Sequence, residues 1–187
     1  MTSKTERGHT ASGQASGQAS SAALENEIER QREVAARHAK ELLGKLPLLG
    51  PVVWLYMHAS SHKHLFLTDV EWMIIPPMTL NQYKLYMKEE APLAYASWAF
   101  VDEETEKRLL SGRVRLAPKD WKSGERLWLI DLVAPFGGGK DVLKDIRDNV
   151  FPSRPIKQLV PDADGKGVRP IEWKSSATLA TDKPSVA

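Results

Sequence analysis

The pattern of apolar and polar positions changes character along the chain. Up to residue 21 the residues are small and polar, with a Ser-Gly-Gln-Ala unit at 12–15 repeated at 16–19. Because such a segment cannot bury enough apolar surface to order itself, we predict a disordered arm over residues 1–21. Residues 22–44 are rich in helix formers, with Leu24 and Ile28 on one apolar stripe. This pattern predicts an N-terminal helix that ends at Gly44.

Beyond Pro51 the pattern predicts strands with short links, which favour antiparallel pairing. Asp102 is a candidate N-cap for a helix that Gly112 would end. Strands are predicted at 71–75, 82–87, 92–100, 113–116 and 126–134, a helix at 140–150, and a last hairpin at 155–160 and 168–173. We therefore predict an α/β (α+β) domain over residues 45–173, with a mixed, mostly antiparallel sheet flanked by helices. A polar tail follows over residues 174–187.

Composition narrows the class of protein. A chain of 187 residues with 42% hydrophobic residues suits one domain with a real core. The net charge of +2 gives no argument for nucleic acid, and we predict no nucleic-acid partner. The chain has no cysteine, which excludes disulfides, thiolate nucleophiles and cysteine-based zinc sites. No apolar stretch approaches the roughly 20 residues of a membrane span, and we expect a cytoplasmic protein.

Asp131 is the first candidate for chemistry, because it interrupts the apolar run from Trp128 to Gly137. Burying an unpaired carboxylate costs several kcal/mol, so a partner or a function is expected for it. Three of the five histidines, His58, His62 and His64, lie within seven residues and can exchange protons near neutral pH. Their spacing fits no single face and no acidic ligand accompanies them, so we predict no metal site. A histidine and the buried carboxylate would form an acid/base pair.

A second candidate is the glycine run that begins at Gly137 and precedes a predicted helix. Its backbone amides could face a phosphate or a thioester carrier. The run lacks the spacing of a phosphate-binding loop, and a strand-to-helix turn needs glycine in any case. The turn is the favoured interpretation.

Several of these pieces together resemble the RTX toxin-activating lysine acyltransferases. The resemblance covers about residues 46–173 and includes Ser-Trp-Ala at 97–99 and Ile-Asp-x-x-Ala-Pro-Phe-Gly at 130–137. An eight-residue step leads from Trp54 to His62 in the same order and spacing as in the family. The remaining pieces are Pro76, Asn-Gln-Tyr at 81–83, the run 92–99 and the run 120–126.

The resemblance implies transfer of a fatty acyl group from acyl carrier protein to internal lysines of an RTX protoxin, on a fold similar to GNAT acyltransferases. It implies no bound cofactor, because the acyl carrier protein is the acyl donor. The family's catalytic histidine corresponds to His62, with His64 as the fallback, and its aspartate corresponds to Asp131. The family often has Ser-Ser-Pro-x-His, whereas here Ser60 and Ser61 directly precede His62. A homodimer is a family-level expectation.

The residue types suit this chemistry. A lysine ammonium with a pKa near ~10.4 must lose a proton before it attacks a thioester, and a histidine near ~6.5 can accept that proton. Asp131 would orient the imidazole. A covalent route through acyl-histidine needs the same two side chains and stays open.

Two further surfaces follow from the expected donor. Acyl carrier proteins are acidic, and an acyl chain needs an apolar groove. The basic candidates are Arg113, Arg115, Lys119, Lys122 and Arg126, with a solvated sheet face as the alternative. The apolar candidates are Trp98, Phe100, Trp128 and Phe136, with ordinary core packing as the alternative. Two other functions stay open: a GNAT-like enzyme that uses acyl-coenzyme A on another amine, and a non-catalytic toxin chaperone.

Overall fold

The computed structural model describes residues 12–112, 115–162 and 167–177. The chain divides into two compact units at Gly44. All strands and the candidate site belong to the second unit, which begins at Lys45. None of the described helices has both the length and the apolar character that crossing a membrane requires.

Helix α1 is much longer than the sequence predicts. It runs over Ser12–His58 and continues through Gly44, Pro47 and Pro51. The predicted helix end at Gly44 is therefore wrong, and residues 12–21 are helical where we predicted disorder, while residues 1–11 lie outside the described part. An interior proline disfavours a helix by about 3 kcal/mol. Burial of the last turns offsets this cost, because Val52, Leu55 and Tyr56 are at most 4% exposed.

Five strands form one sheet, and their order in the sheet is their order along the chain. The predicted mixed, mostly antiparallel sheet is confirmed. They are β1 (Tyr83–Lys88), β2 (Ala91–Val101), β3 (Arg126–Val133), β4 (Ile156–Pro161) and β5 (Val168–Trp173). Neighbours pair antiparallel except β3 and β4, which are parallel. Helix α5 (Gly139–Asp145), extended by a π-helical turn at Ile146–Val150, makes the crossover that a parallel pair needs. The predicted terminal hairpin is confirmed.

Helices α2 (Val70–Met73) and α3 (Ile75–Thr79) occupy the segment where a strand was predicted at 71–75. That prediction is wrong because the apolar run has helical spacing: Ile74 and Met78 lie four residues apart and are both buried. Pro76 and Pro77 fit the first turn of α3, where a missing backbone donor costs nothing.

Helix α4 (Glu103–Leu110) follows the prediction. Oδ1 of Asp102 accepts a hydrogen bond from the Thr105 backbone nitrogen at 2.8 Å, which makes Asp102 the N-cap. The strand predicted at 113–116 is wrong in its described part, because Arg115 and Leu116 form an irregular segment. Burial of Leu116, which is 1% exposed, explains its apolar character without a strand.

The two faces of the sheet are covered by different elements. On one face, the end of α1 and helices α2 and α3 pack their apolar residues against Tyr95 and Val133. On the other face, Trp98 and Leu129 pack with Ile146, which follows α5. The first face carries the candidate site.

Candidate active site

Asp131 reaches the first face of the sheet through an irregularity in β3. Ser97 pairs with Asp131 and Trp98 pairs with Leu129, so Ile130 has no partner on β2. With strict alternation, Asp131 would lie on the same face as Leu129. The extra residue is a β-bulge that turns Asp131 to the opposite face, beneath the end of α1.

His62 meets this carboxylate from the other side. It ends a 3₁₀ turn, Ser60–His62, that directly follows α1, and its backbone nitrogen donates to the Ala59 carbonyl at 3.0 Å. The Nε2 atom of His62 lies 3.1 Å from Oδ2 of Asp131. The two side chains are 14% and 11% exposed, so the pair is largely shielded from water. The structure therefore joins the two residues that the sequence singled out.

Tyr56, in the last turns of α1, is a third member of this cluster. Its hydroxyl donates to Oδ2 of Asp131 at 2.8 Å, and its ring meets the His62 imidazole edge-on at 4.8 Å between centroids. Burial and the neighbouring charge of Asp131 raise the pKa of Tyr56 well above its ordinary value. The phenol therefore stays protonated and remains a donor to the carboxylate.

The hydrogen bonds assign the proton on the imidazole. An ionised carboxylate only accepts hydrogen bonds, so Nε2 of neutral His62 carries the hydrogen and Nδ1 carries the lone pair. The hydroxyl of Ser61 lies 2.9 Å from Nδ1 and donates to it. Nδ1 is therefore the basic nitrogen of the site, and Asp131 holds the imidazole by the other nitrogen.

An apolar cavity of about 550 Å³ opens beside His62. It is formed by the end of α1, the loop after His62, and α2. Its lining residues are Val53, Tyr56, Met57, His62, Lys63, Leu65, Phe66, Leu67, Asp69, Val70, Met73 and Ile74. The base and the cavity thus form one continuous site, which has room for an apolar ligand next to a proton acceptor.

Comparison with known proteins fits this arrangement. Residues 41–174 match the model of the RTX toxin acyltransferase family, HlyC. The chain belongs to the RTX toxin acyltransferase family. The expected enzyme class, an acyltransferase, is therefore confirmed.

Three relatives show how far the similarity extends. An uncharacterized protein of Synechocystis is 32% identical over 125 residues, which are 66% of this chain and 85% of the relative. The lysine-acyltransferase RtxC of Vibrio cholerae is 36% identical over 105 residues, 56% of this chain and 69% of the relative. The protein-lysine myristoyltransferase RtxC of Kingella kingae is 34% identical over 105 residues, 56% of this chain and 63% of the relative.

The aromatic residues predicted for an acyl groove lie elsewhere in this acyltransferase. Trp98 and Phe100 pack on the opposite face of the sheet, each against Phe151. Trp128 is buried and its indole nitrogen donates to Glu106 at 3.0 Å. Phe136 is 56% exposed and contacts Trp54 and His58 rather than His62. The structure brings none of them into the cavity.

The predicted basic residues have separate surroundings. Arg115 stacks over the Trp72 ring at 5.3 Å, and Lys119 and Lys122 are exposed. Arg126 forms ion pairs with Glu103 and Glu106 at 3.5 and 3.0 Å, so its charge has a structural role. Arg113 lies outside the described residues.

Gly137 is explained by the backbone turn before α5, and His64 does not contact Asp131. Gly137 has a φ of +95°, a backbone conformation that favours glycine, so the turn before α5 explains the residue. His64 is exposed, and it is His62 that meets Asp131. His58 is occupied too, because its Nδ1 lies 2.8 Å from the Trp54 carbonyl oxygen.

Tyr56 is the site residue that sequence reasoning missed. A buried tyrosine normally needs a partner for its hydroxyl. That signal was available in the spacing of Val52, Tyr56 and Ala59, which recur at helical intervals. It depends on α1 continuing past Gly44, which the sequence pattern did not predict.

Proposed function

We propose that this acyltransferase moves a fatty acyl group from acyl carrier protein to the ε-amine of internal lysines of an RTX protoxin. The observation that carries the proposal is the hydrogen bond between Nε2 of His62 and Oδ2 of Asp131 at 3.1 Å. The names of the relatives support the acceptor, since those from Vibrio cholerae and Kingella kingae are called lysine-acyltransferase and protein-lysine myristoyltransferase.

In the proposed reaction, His62 is the general base. The lysine ammonium first releases one proton to solvent. The neutral amine then displaces the Ser61 hydroxyl from Nδ1, and its nitrogen attacks the thioester carbonyl carbon while a second proton passes to Nδ1. Asp131 holds Nε2–H and stabilises the imidazolium that forms. Collapse of the tetrahedral intermediate breaks the carbon–sulfur bond. The imidazolium returns the proton to the leaving thiolate, which yields an amide and a free thiol.

The basic surface of this chain and the resemblance to the family both support acyl carrier protein as the acyl donor. Arg115, Lys119 and Lys122 are exposed on neighbouring segments that are available to an acidic acyl carrier protein. Arg126 is already paired with carboxylates and contributes less to such a surface.

The wider arrangement is also part of the proposal. We propose an acyltransferase domain over residues 45–173, which the family match over 41–174 supports. The cytoplasmic location and the homodimer remain predictions from the resemblance. Sedimentation of the purified chain tests the dimer.

Mass mapping of lysines tests the proposed function. The purified protein is incubated with acyl carrier protein bearing a long acyl chain and with a matching RTX protoxin. We expect acylated lysines with the wild type, and none with His62→Ala or Asp131→Ala. His64→Ala is the matched control, since that histidine is exposed and should retain transfer.

Three results would overturn parts of the proposal. Stable binding of the protoxin without any lysine mass shift would favour a chaperone. Equal transfer from acyl-coenzyme A would remove acyl carrier protein as the required donor. An acyl group recovered on His62 itself would replace direct attack by the covalent route.

A further inference from the structure

We propose that the cavity beside His62 holds the acyl chain of the donor during transfer. This inference rests on the proposed function and deepens it by assigning the site that binds the acyl chain. The cavity volume of about 550 Å³ lies within the roughly 300–1,000 Å³ of sites that enclose small molecules. Because His62 forms part of its wall, a chain lying in the cavity would place its thioester carbonyl next to the imidazole.

The walls suit a hydrocarbon. Val53 from α1 faces the cavity from one element, and Val70, Met73 and Ile74 face it from α2 and the residue that follows. These residues belong to the margin of the apolar core on this face of the sheet, and Ile74 is 3% exposed. A saturated chain is stabilised by each methylene that it buries against such walls.

The polar groups around the cavity argue against the target lysine as its occupant. A buried ammonium needs a carboxylate partner. Oδ2 of Asp131 already accepts from His62 and Tyr56. Asp69 accepts from the Phe66 backbone nitrogen at 2.8 Å and from the Trp72 indole nitrogen at 2.9 Å. A chain of methylenes makes no such demand.

The exposed wall at the mouth of the cavity is mainly apolar, with Lys63 as its charged residue. Met57, Phe66 and Leu67 line it and are 71%, 76% and 86% exposed. Large side chains that are exposed together around a concave site mark a surface that another apolar group covers. The two hydrogen bonds to Asp69 fix the turn that follows Phe66, and they thereby hold the mouth of the cavity in place. A chain too long for the cavity would emerge between these three residues.

Filling the cavity from two sides tests the proposal. Val53→Trp and Val70→Trp each place a large ring in it from a different helix. The value of kcat/KM is measured with acyl carrier protein bearing a tetradecanoyl chain and again with a butanoyl chain. We expect the ratio of long-chain to short-chain transfer to fall at least about tenfold in both variants. Leu110→Trp, at an exposed position of α4 outside the cavity, should leave the ratio unchanged.

A binding measurement keeps the proposal testable if a variant does not fold. Acyl carrier protein with a ¹³C-labelled tetradecanoyl chain, joined by a non-transferable amide, is mixed with the wild type. We expect nuclear Overhauser contacts from the chain to the methyl groups of Met73 and Ile74. Contacts to Trp98 and Phe151 instead, or an unchanged ratio in folded variants, would overturn the proposal. Wild-type protein that transfers neither chain refutes the proposed function, while the binding measurement still decides the cavity.

Discussion

The Tyr56 hydroxyl and the His62 imidazole meet at one atom, Oδ2 of Asp131, at 2.8 and 3.1 Å. One buried carboxylate oxygen therefore receives a hydrogen bond from the end of α1 and another from the turn that follows it. In the proposed mechanism, the role of Tyr56 is to position Asp131. Hydrogen bonds to charged groups contribute about 1.5–3 kcal/mol.

Tyr56→Phe removes only the hydroxyl. We expect kcat for lysine acylation to fall about tenfold, because Asp131 loses a donor that fixes its position. The raised pKa of Tyr56 keeps the phenol protonated, so the ratio of wild-type to variant rates should stay constant from about pH 6 to about pH 9. A ratio that changes across this range would contradict the assignment. Tyr83→Phe, on the same face of the sheet, is the control.

Ser61→Ala tests whether the Ser61 hydroxyl takes part in the reaction. The Ser61 hydroxyl occupies Nδ1 of His62 in the free enzyme, and the incoming amine replaces it in the proposed mechanism. We expect kcat to stay within about threefold of wild type, since the hydroxyl does not enter the reaction. Steady-state acylation rates check this, with Ser60→Ala as the control. A loss of about a hundredfold or more would make Ser61 a proton relay or a nucleophile instead.

Asp145→Asn tests the pH dependence of stability. Burial acts to raise the pKa of Asp145, but hydrogen bonds from Lys84, Tyr86 and Asn149 outweigh it and lower the pKa from 3.8 to about 2. A lowered folded-state pKa stabilises the fold above the unfolded value, and this contribution disappears as the pH falls from about 4 towards about 2. Because Lys84 is 40% exposed, we expect a contribution on the order of 1 kcal/mol at neutral pH.

Urea unfolding of wild type and Asp145→Asn at a series of pH values measures this difference. The difference between the two free energies of unfolding should be full near pH 7 and should close as the pH falls from about 4 towards about 2. A difference in the free energy of unfolding that grows as the pH falls would contradict the predicted direction of the effect.

Glu106 on α4 is expected to be a structural carboxylate. Its oxygens accept from Trp128, Lys157 and Arg126 at 3.0, 2.8 and 3.0 Å, which links α4 to β3 and β4. Glu106→Ala leaves the Trp128 indole nitrogen and Lys157 without their partner and removes one of the two carboxylates bound to Arg126, so we expect a loss of about 2–3 kcal/mol in the free energy of unfolding. Glu104→Ala, at an exposed neighbouring position, should cost at most about 0.5 kcal/mol. Equal losses in the two variants would contradict this role.

The sequence was sufficient to find the two members of the pair but not their arrangement. Asp131 stood out because a carboxylate inside an apolar strand needs a reason, whereas His62 was singled out only by the resemblance to the family, through its step from Trp54. The bulge at Ile130 was not predictable, because simple alternation places Asp131 with Leu129 on the wrong face.

The errors in the fold have a common physical origin. Gly44 and two prolines indicated the end of a helix, but burial of Val52 and Leu55 keeps α1 helical through them. The short apolar run at 71–75 fits a strand or a buried helix equally well by pattern alone. Both errors hid the same feature, because the end of α1 and helix α2 form the walls of the cavity.

The kcat of Asp131→Asn, measured for lysine acylation with saturating acyl carrier protein, tests the central claim most directly. Asparagine keeps the shape of the side chain but removes the charge that stabilises the His62 imidazolium. We expect a fall in kcat of about 10²–10⁴-fold in the folded variant. A kcat within about threefold of wild type would show that the His62–Asp131 pair does not carry the reaction.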